Sequence, residues 1–525
     1  MSHTNRPPVA PPRNPPDPLE TFALIPDPEQ DQVAVALWHM SAGLTVMAAD
    51  GPLTLLADVE RGHRFALRDL PEGTPVVQYG HPFGRSKGIQ RGEPVNANNV
   101  AESLPECALE PFIPPPPTRL DPTLEALTFD GYLRPDGRAG TRNHYLVIPT
   151  SMCASDTARL VVETMTALGP LIKGVDSIAA AAHTEGCGCA ANQQIDRVLR
   201  ILVAYAVHPN VGGCLVMDLG CEQTNYEAIN PRLRDLAARS GRPVDWVTIQ
   251  RAGGVRKAID EAVGIIRERL PQVATVQRQP RPISELVIGT ECGASDGFSG
   301  ISANPVIGRA VDRLVHGGGR AILSEIPEMV GVFGMLKSRF RSPETAQAFL
   351  NAIEWYESLG QKLGVSLADN LVPKNAEGGL INRYIKSLGA VMKGGSTPIE
   401  DVVDYGAPLT CDGLSVMQGP GGDPESVTGL VASGATLVLF STGKGAISGN
   451  IICPVIKVSS NSELARTMPE DIDFDAGRIL DGASLDALGE LLFRQALEVA
   501  SGTQTWTEQW RQRQFQIWTA GKLAL

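Results

Sequence analysis

The chain has 525 residues, 43% hydrophobic and 20% charged, with a formal net charge of −12. That length exceeds one ordinary core and calls for several domains. The acidic balance, without a long basic run, argues against nucleic acid and against an anionic membrane surface. It leaves room for an acidic small substrate, which needs only a locally positive pocket. No run of about twenty apolar residues occurs, so no membrane helix is expected. The N-terminus has no secretory pattern. The nine cysteines are odd in number and scattered. That suits reduced thiols in a cytoplasmic protein better than a disulfide framework.

Residues 1–30 hold RPPVAPPRNPPDP and read as a disordered or polyproline-like tail. In residues 31–103, short apolar runs (VAVAL, PLTLL, PVVQYG) alternate with Gly, Asp and Pro, the pattern of a small β-rich module. Residues 104–124, with PFIPPPPTRLDP, have the composition of a stiff linker. Beyond it the texture is α/β. Strand-like runs (HYLVIPTS, VDSIAAAAH, GGCLVMDLG, ELVIGTEC, GRAILSEI, TLVLFSTG, CPVIKVSS) alternate with helical stretches. We divide this body at residues 125–280 and 281–525 and expect two Rossmann-like subdomains. Most of the runs end in Gly, Cys, Ser or Thr, and ligands of parallel sheets sit at the carboxyl ends of strands.

Six ordered segments carry the chemistry. In GYLRPDGRAGTRN, Arg142 offers a guanidinium fork for a carboxylate. HTEGCG brings His183, a candidate base, and Cys187, a candidate metal ligand. HPNVGGCLVMDLGCE ends in Cys221-Glu222. CGASDGFSGISANP packs Cys292, Ser295, Asp296, Ser299 and Asn304 among glycines, a loop rich in donors for hydroxyls and a carboxylate. SEIPE sets Glu325 and Glu328 three apart on a Pro-held turn after a strand, as metal ligand and proton carrier. GGLINRYIKSLGAVMKGG supplies Lys386 and Lys393, cations for a substrate carboxylate. Each residue also has a plain structural reading: a paired surface arginine, a core histidine, an inert buried thiol, a polar turn before a helix. Two ligand sets stay open: the thiolates Cys187, Cys221 and Cys292, or the oxygens of Asp296, Glu325 and Glu328.

These six segments, in order and spacing, resemble the altronate/galactarate dehydratase family, and ERGHRFALRDLPEGTPVVQYGHPFG resembles the SAF domain found fused to it. The resemblance implies a cytoplasmic hydro-lyase converting a sugar acid to a 2-keto-3-deoxy acid. It implies a divalent metal, Fe2+ first (or an iron–sulfur cluster), with Mn2+ or Mg2+ as alternatives. His183, Glu328 and Asp296 are the expected catalytic residues, and Glu325 joins the three thiols as a metal ligand. Arg142, Ser295, Ser299, Asn304, Lys386 and Arg251 are the expected substrate contacts. Enzymes of this size are commonly homo-oligomers, so a dimer is expected. The chain also departs from the family pattern. Arg251 stands where relatives commonly have an acid, Ala376 where they have a lysine, and residues 96–99 carry no histidine. Cys153 lies one position early and receives no role. Arg251 suits a sulfolactate-type sulfo-lyase as a second reading. The departures together keep a catalytically silent binding protein as a third.

Overall fold

The computed structural model describes residues 16–188, 193–367, 371 and 373–520. No described helix is long and apolar enough to cross a membrane. The N-terminal module is built of short antiparallel strands. One sheet joins Ala23–Leu24, Val33–Ala36, Arg64–Ala66 and Pro94–Val95. A hairpin of Thr45–Ala48 with Gly51–Thr54 and a sheet of Pro75–Gln78, His81–Ser86 and Val100–Ala101 complete it. In Thr45–Ala48, Val46 and Ala48 are buried and their neighbours half-exposed, the period-two pattern of a one-sided strand.

The module starts earlier than residue 31. Leu19 and Ala23 are buried in its core, and Ala23 pairs with Ala36. The expected tail is thus partly built in, because the apolar run TFALI completes the sheet edge. Residues 1–15 lie outside the described residues. The proline-rich linker has no regular element before Pro122–Glu125 but is tied down. Lys337 Nζ donates to Ala108 O at 2.7 Å, and Arg341 Nη1 to Pro115 O at 3.0 Å.

Two parallel sheets form the body. The first runs β2-β1-β3-β4, with β1 His144–Pro149, β2 Ser177–Ala180, β3 Val211–Asp218 and β4 Val244–Thr248. Tyr145 and Val147 pack on one face and Leu146 and Ile148 on the other, so β1 reads as a continuous apolar run. Helices α1 (Met152–Ala167) and α2 (Gln193–Ala206) follow β1 and β2.

The second sheet has seven strands in the order β7-β8-β6-β5-β9-β10-β11, all parallel. These are β5 Val287–Gly293, β6 Arg320–Leu323, β7 Ile399–Val403, β8 Gly413–Met417, β9 Leu437–Thr442, β10 Val455–Ser459 and β11 Phe474–Asp475. Helices α3 (Ala303–His316), α4 (Arg383–Ala390) and α5 (Asp423–Ala432) matter most for the site. The strand order reverses at β1/β3 in the first sheet and at β5/β9 in the second. A reversal opens a crevice at the carboxyl ends of its two strands.

Candidate active site

At the β5/β9 crevice the chain concentrates buried charge. Cys292 is near the end of β5, and Glu325 and Glu328 follow β6. Their ligand atoms lie within 4.8 Å of one another, the one such group among the described residues. The Cys292 amide donates to Glu325 Oε2 at 3.1 Å. Its thiol lies 3.5 Å from Glu325 Oε1 and donates to Glu328 Oε2 at 3.1 Å. Two lysines hold the outer oxygens: Lys393 Nζ on Glu325 Oε2 at 2.6 Å and Lys386 Nζ on Glu328 Oε1 at 2.7 Å. Glu325 has φ 75°, a left-handed conformation that a non-glycine residue holds only when its surroundings impose it. The Lys393 pair and the Cys292 amide do so here.

Lys386 reaches the site because α4 docks closely on the loop after β5. A side chain on Gly389 would put its Cβ 2.9 Å from Gly300 Cα, so glycine is required at this approach. Asn304, in α3, braces the same contact. It donates to Gly389 O at 2.9 Å and accepts from Ser441 at 2.6 Å.

Charge balance follows from these pairs. Burial, then Glu325, pushes the Glu291 carboxyl well above the ordinary range. Ser426 donates to its Oε2 at 2.5 Å, while its Oε1 has no partner. Beside it, Glu325 and Glu328 face Lys393 and Lys386 pair by pair. Burial also pushes Glu325 up, to about 7, against the pull of Lys393. For Glu328, burial raises the value, but Lys386 and Lys393 outweigh it and hold the group low. Burial, then Glu325 and Glu328, drive the Cys292 thiol well up.

A small cavity opens beside this cluster. Arg64, Tyr79, Ser295, Asp296, Ser299, Asn304 and Lys386 are among its lining residues. Arg64 and Tyr79 come from the N-terminal module, so that module forms part of the site wall. The Arg64 guanidinium is buried and donates to Gln78 Oε1 at 3.0 Å and to Gly379 O. Asp296 is saturated. Its Oδ1 accepts from the Phe298 and Ser299 amides and from Ser299 and Ser460 hydroxyls, and its Oδ2 from Ser460 and Asn461. Asp296 therefore organises the loop rather than ligating a metal.

Several residues expected from the sequence lie elsewhere. Arg142 is buried, with Nε and Nη2 on the two Glu508 oxygens at 2.6 and 2.8 Å. Its remaining donors go to the carbonyls of Thr141, Val499 and Thr503. It is a strut without a free fork for a substrate. His183 is also spent: Nε2 faces Pro149 O at 2.8 Å, and Nδ1 accepts from the Glu185 amide at 3.1 Å. A base needs a free nitrogen, so the expected role does not fit. Cys187 and Cys221 stand at the carboxyl end of the first sheet and are not in the group of Cys292, Glu325 and Glu328, so the three thiols do not converge. Arg251 is exposed just after β4, outside the cavity wall. Ser295, Asp296, Ser299, Asn304 and Lys386 do come together at the cavity. The sequence reading missed Arg64 and Tyr79. Their only signal was membership of the GHRFALRD and QYG segments, where nothing marks one buried arginine from its neighbours.

One buried cation stands outside this balance. Lys457 Nζ has no hydrogen-bond partner and lies 3.1 Å from the centre of the Phe440 ring. Burial lowers it to about 7 against Asp423, Asp473 and Glu291, which face it. Between that value and its ordinary 10.5 the unfolded chain binds the proton and the folded chain does not. Stability therefore rises with pH through this window. Lys457→Met should stabilise the protein at pH 6 by roughly 1–4 kcal/mol and less at pH 9, read from urea midpoints at both pH values.

The comparisons agree with this geometry. Residues 23–103 match the altronate/galactarate dehydratase SAF domain. Residues 131–274 match the second domain of D-galactarate dehydratase/altronate hydrolase, and residues 283–523 match the C-terminal domain of D-galactarate/altronate dehydratase. Altronate dehydratase of Bacillus subtilis (strain 168) is 32% identical over 482 residues, 90% of this chain and 94% of that protein. Altronate dehydratase of Escherichia coli (strain K12) is 32% identical over 500 residues, 94% of this chain and 98% of that protein. Galactarate dehydratase (L-threo-forming) of the same strain is 32% identical over 491 residues, 92% and 94% respectively. This chain belongs to the altronate/galactarate dehydratase family of hydro-lyases, with the family's SAF domain at its N-terminal end.

Proposed function

We propose that this protein removes water from a sugar acid, an aldonate or aldarate, to give a 2-keto-3-deoxy acid. The observation that carries the reading is the charge-paired cluster of Cys292, Glu325, Glu328, Lys386 and Lys393 beside a cavity lined by Arg64. The proton at C2 of a hydroxy acid is weakly acidic, and losing it puts more negative charge on the carboxylate. Fixed cations in a dry site stabilise that charge most where it grows. Arg64 and Lys386 supply two on the cavity wall. Ser299, Asn304 and Tyr79 line the same space and suit the sugar hydroxyls.

Proton transfer at C2 falls to Glu328. Glu328 pairs through Oε1 with the cavity-lining Lys386 and accepts from the Cys292 thiol at Oε2, so Lys386 links this carboxylate to the cavity. Glu328 takes the C2 proton and returns it to the C3 hydroxyl, which leaves as water, and the resulting enol tautomerises to the ketone. The same donors fit a metal. Cys292 Sγ, Glu325 Oε1 and Glu328 Oε2 face one another while the lysines hold the outer oxygens. Three mixed S/O ligands suit a first-row divalent ion, Fe2+ before Mn2+ or Mg2+. Such an ion would supply Lewis acidity toward the carboxylate and the leaving hydroxyl. With the thiol ionised, the metal-loaded cluster carries one net positive charge, which a substrate carboxylate cancels.

The parallel strand orders support two Rossmann-like subdomains. Neither the sulfo-lyase nor the silent-binder reading gains from the geometry. Arg251, the residue that suggested an extra anion, is exposed away from the cavity, and the buried acid/base cluster is complete. Arg64→Met should raise KM for the substrate at least tenfold with a smaller change in kcat, measured by steady-state assay of 2-keto acid. An unchanged KM would remove Arg64 from substrate binding.

A further inference from the structure

The first sheet carries its own cluster at its own crevice. Cys153 opens α1 just after β1, Cys187 follows β2 and Cys221 follows β3. The Cys153 thiol is a near neighbour of Cys187, with Cys221 and Glu222 also close enough to act on its charge. All three thiols are exposed, whereas Cys214 and Cys453 are buried, with their sulfurs on backbone carbonyls.

The three loops are stitched together. Glu222 Oε1 accepts from Thr150 Oγ1 at 2.7 Å and Ser151 Oγ at 3.1 Å. Thr224 Oγ1 donates to Thr150 O at 2.6 Å, and the Met152 amide to Glu185 O at 2.8 Å. His183 adds its bond to Pro149 O. A Cβ on Gly186 would fall 2.4 Å from Thr150 O, so glycine lets the Cys187 loop close on the Cys153 loop. Structure of this kind is more than three scattered thiols require.

We propose that Cys153, Cys187 and Cys221 ligate an iron–sulfur cluster, a second metal centre separate from the Cys292 group. Two features favour a cluster over a single ion. A lone tetrahedral metal with bonds of about 2.3 Å brings its sulfurs to roughly 3.8 Å of one another. These three sulfurs do not all lie within 4.8 Å, a spread that a cluster of several irons spans. Glu222 is also not available as a fourth ligand. Its Oε1 takes Thr150, Ser151 and the Leu219 amide, and its Oε2 the Gly220 amide. Three cysteine ligands would leave one iron of a four-iron cluster without a protein thiolate. Each ligand loses its thiol proton to bulk solvent as its sulfur–iron bond forms.

The test uses the full-length protein, reconstituted anaerobically with ferrous iron and sulfide, then desalted. Iron, zinc and acid-labile sulfide per chain and the visible spectrum are measured. The wild type should hold iron and labile sulfide with broad sulfur-to-iron absorption. Cys153→Ser, Cys187→Ser and Cys221→Ser should each lower labile sulfide at least fivefold with circular dichroism and Tm maintained. Cys411→Ser, an exposed thiol elsewhere, should retain it. Wild type without labile sulfide, zinc alone, a Cys153–Cys187 disulfide in place of iron, or sulfide retained in all three variants would overturn the proposal. Turnover is not a readout here, so this result is independent of the dehydratase reading.

Discussion

Glu328→Gln should lower kcat by about 10²–10⁴-fold, the usual weight of a positioned acid or base. The amide keeps the shape of the carboxyl group but cannot take the C2 proton. It also strips Lys386 of its counter-charge 2.7 Å away in a buried site. Breaking one side of such a pair costs about 3–5 kcal/mol, so lost activity alone would be ambiguous. The double variant Glu328→Gln/Lys386→Met removes both charges and should recover much of the Tm without recovering turnover. Stopped activity with recovered stability assigns the Glu328–Lys386 pair to the chemistry. Recovered activity in the double variant would make the pair structural only.

Arg142→Ala should be the most damaging single change outside the site. It leaves Glu508 without its guanidinium and orphans the carbonyls of Val499 and Thr503. Loss of about 3–5 kcal/mol is expected, read as a lower urea midpoint, because a chain of several domains need not unfold in one step. Adding Glu508→Gln should return part of that loss. Turnover per folded molecule should stay within about twofold, since Arg142 touches neither the cavity nor the cluster. A large KM change at unchanged stability would instead make it the carboxylate fork expected from the sequence.

Arg142 shows what the sequence can and cannot convey. Its guanidinium does bind a carboxylate bidentately, but not a substrate's. The partner is Glu508, 366 positions later, and no local pattern announces such a pairing. His183 failed for a similar reason: a histidine at a strand end looks reactive until its two nitrogens are found on Pro149 and Glu185. The strand-end residues Cys292, Glu325 and Glu328 were legible because parallel sheets place chemistry at carboxyl ends. That rule identifies the sheet edge but not which of two edges each cysteine joins. Sequence alone thus groups Cys292 with Cys187 and Cys221, although Cys292 stands at the other sheet. Arg64 was hidden because its place in the cavity wall depends on docking of the N-terminal module onto the body.

The central claim is tested most directly by incubating the metal-loaded protein anaerobically with a panel of aldonates and aldarates and assaying 2-keto acid. The wild type should form a 2-keto-3-deoxy acid from at least one of them, and Glu328→Gln should not. No 2-keto acid from any member of the panel, with metal bound and the fold intact, would contradict the account.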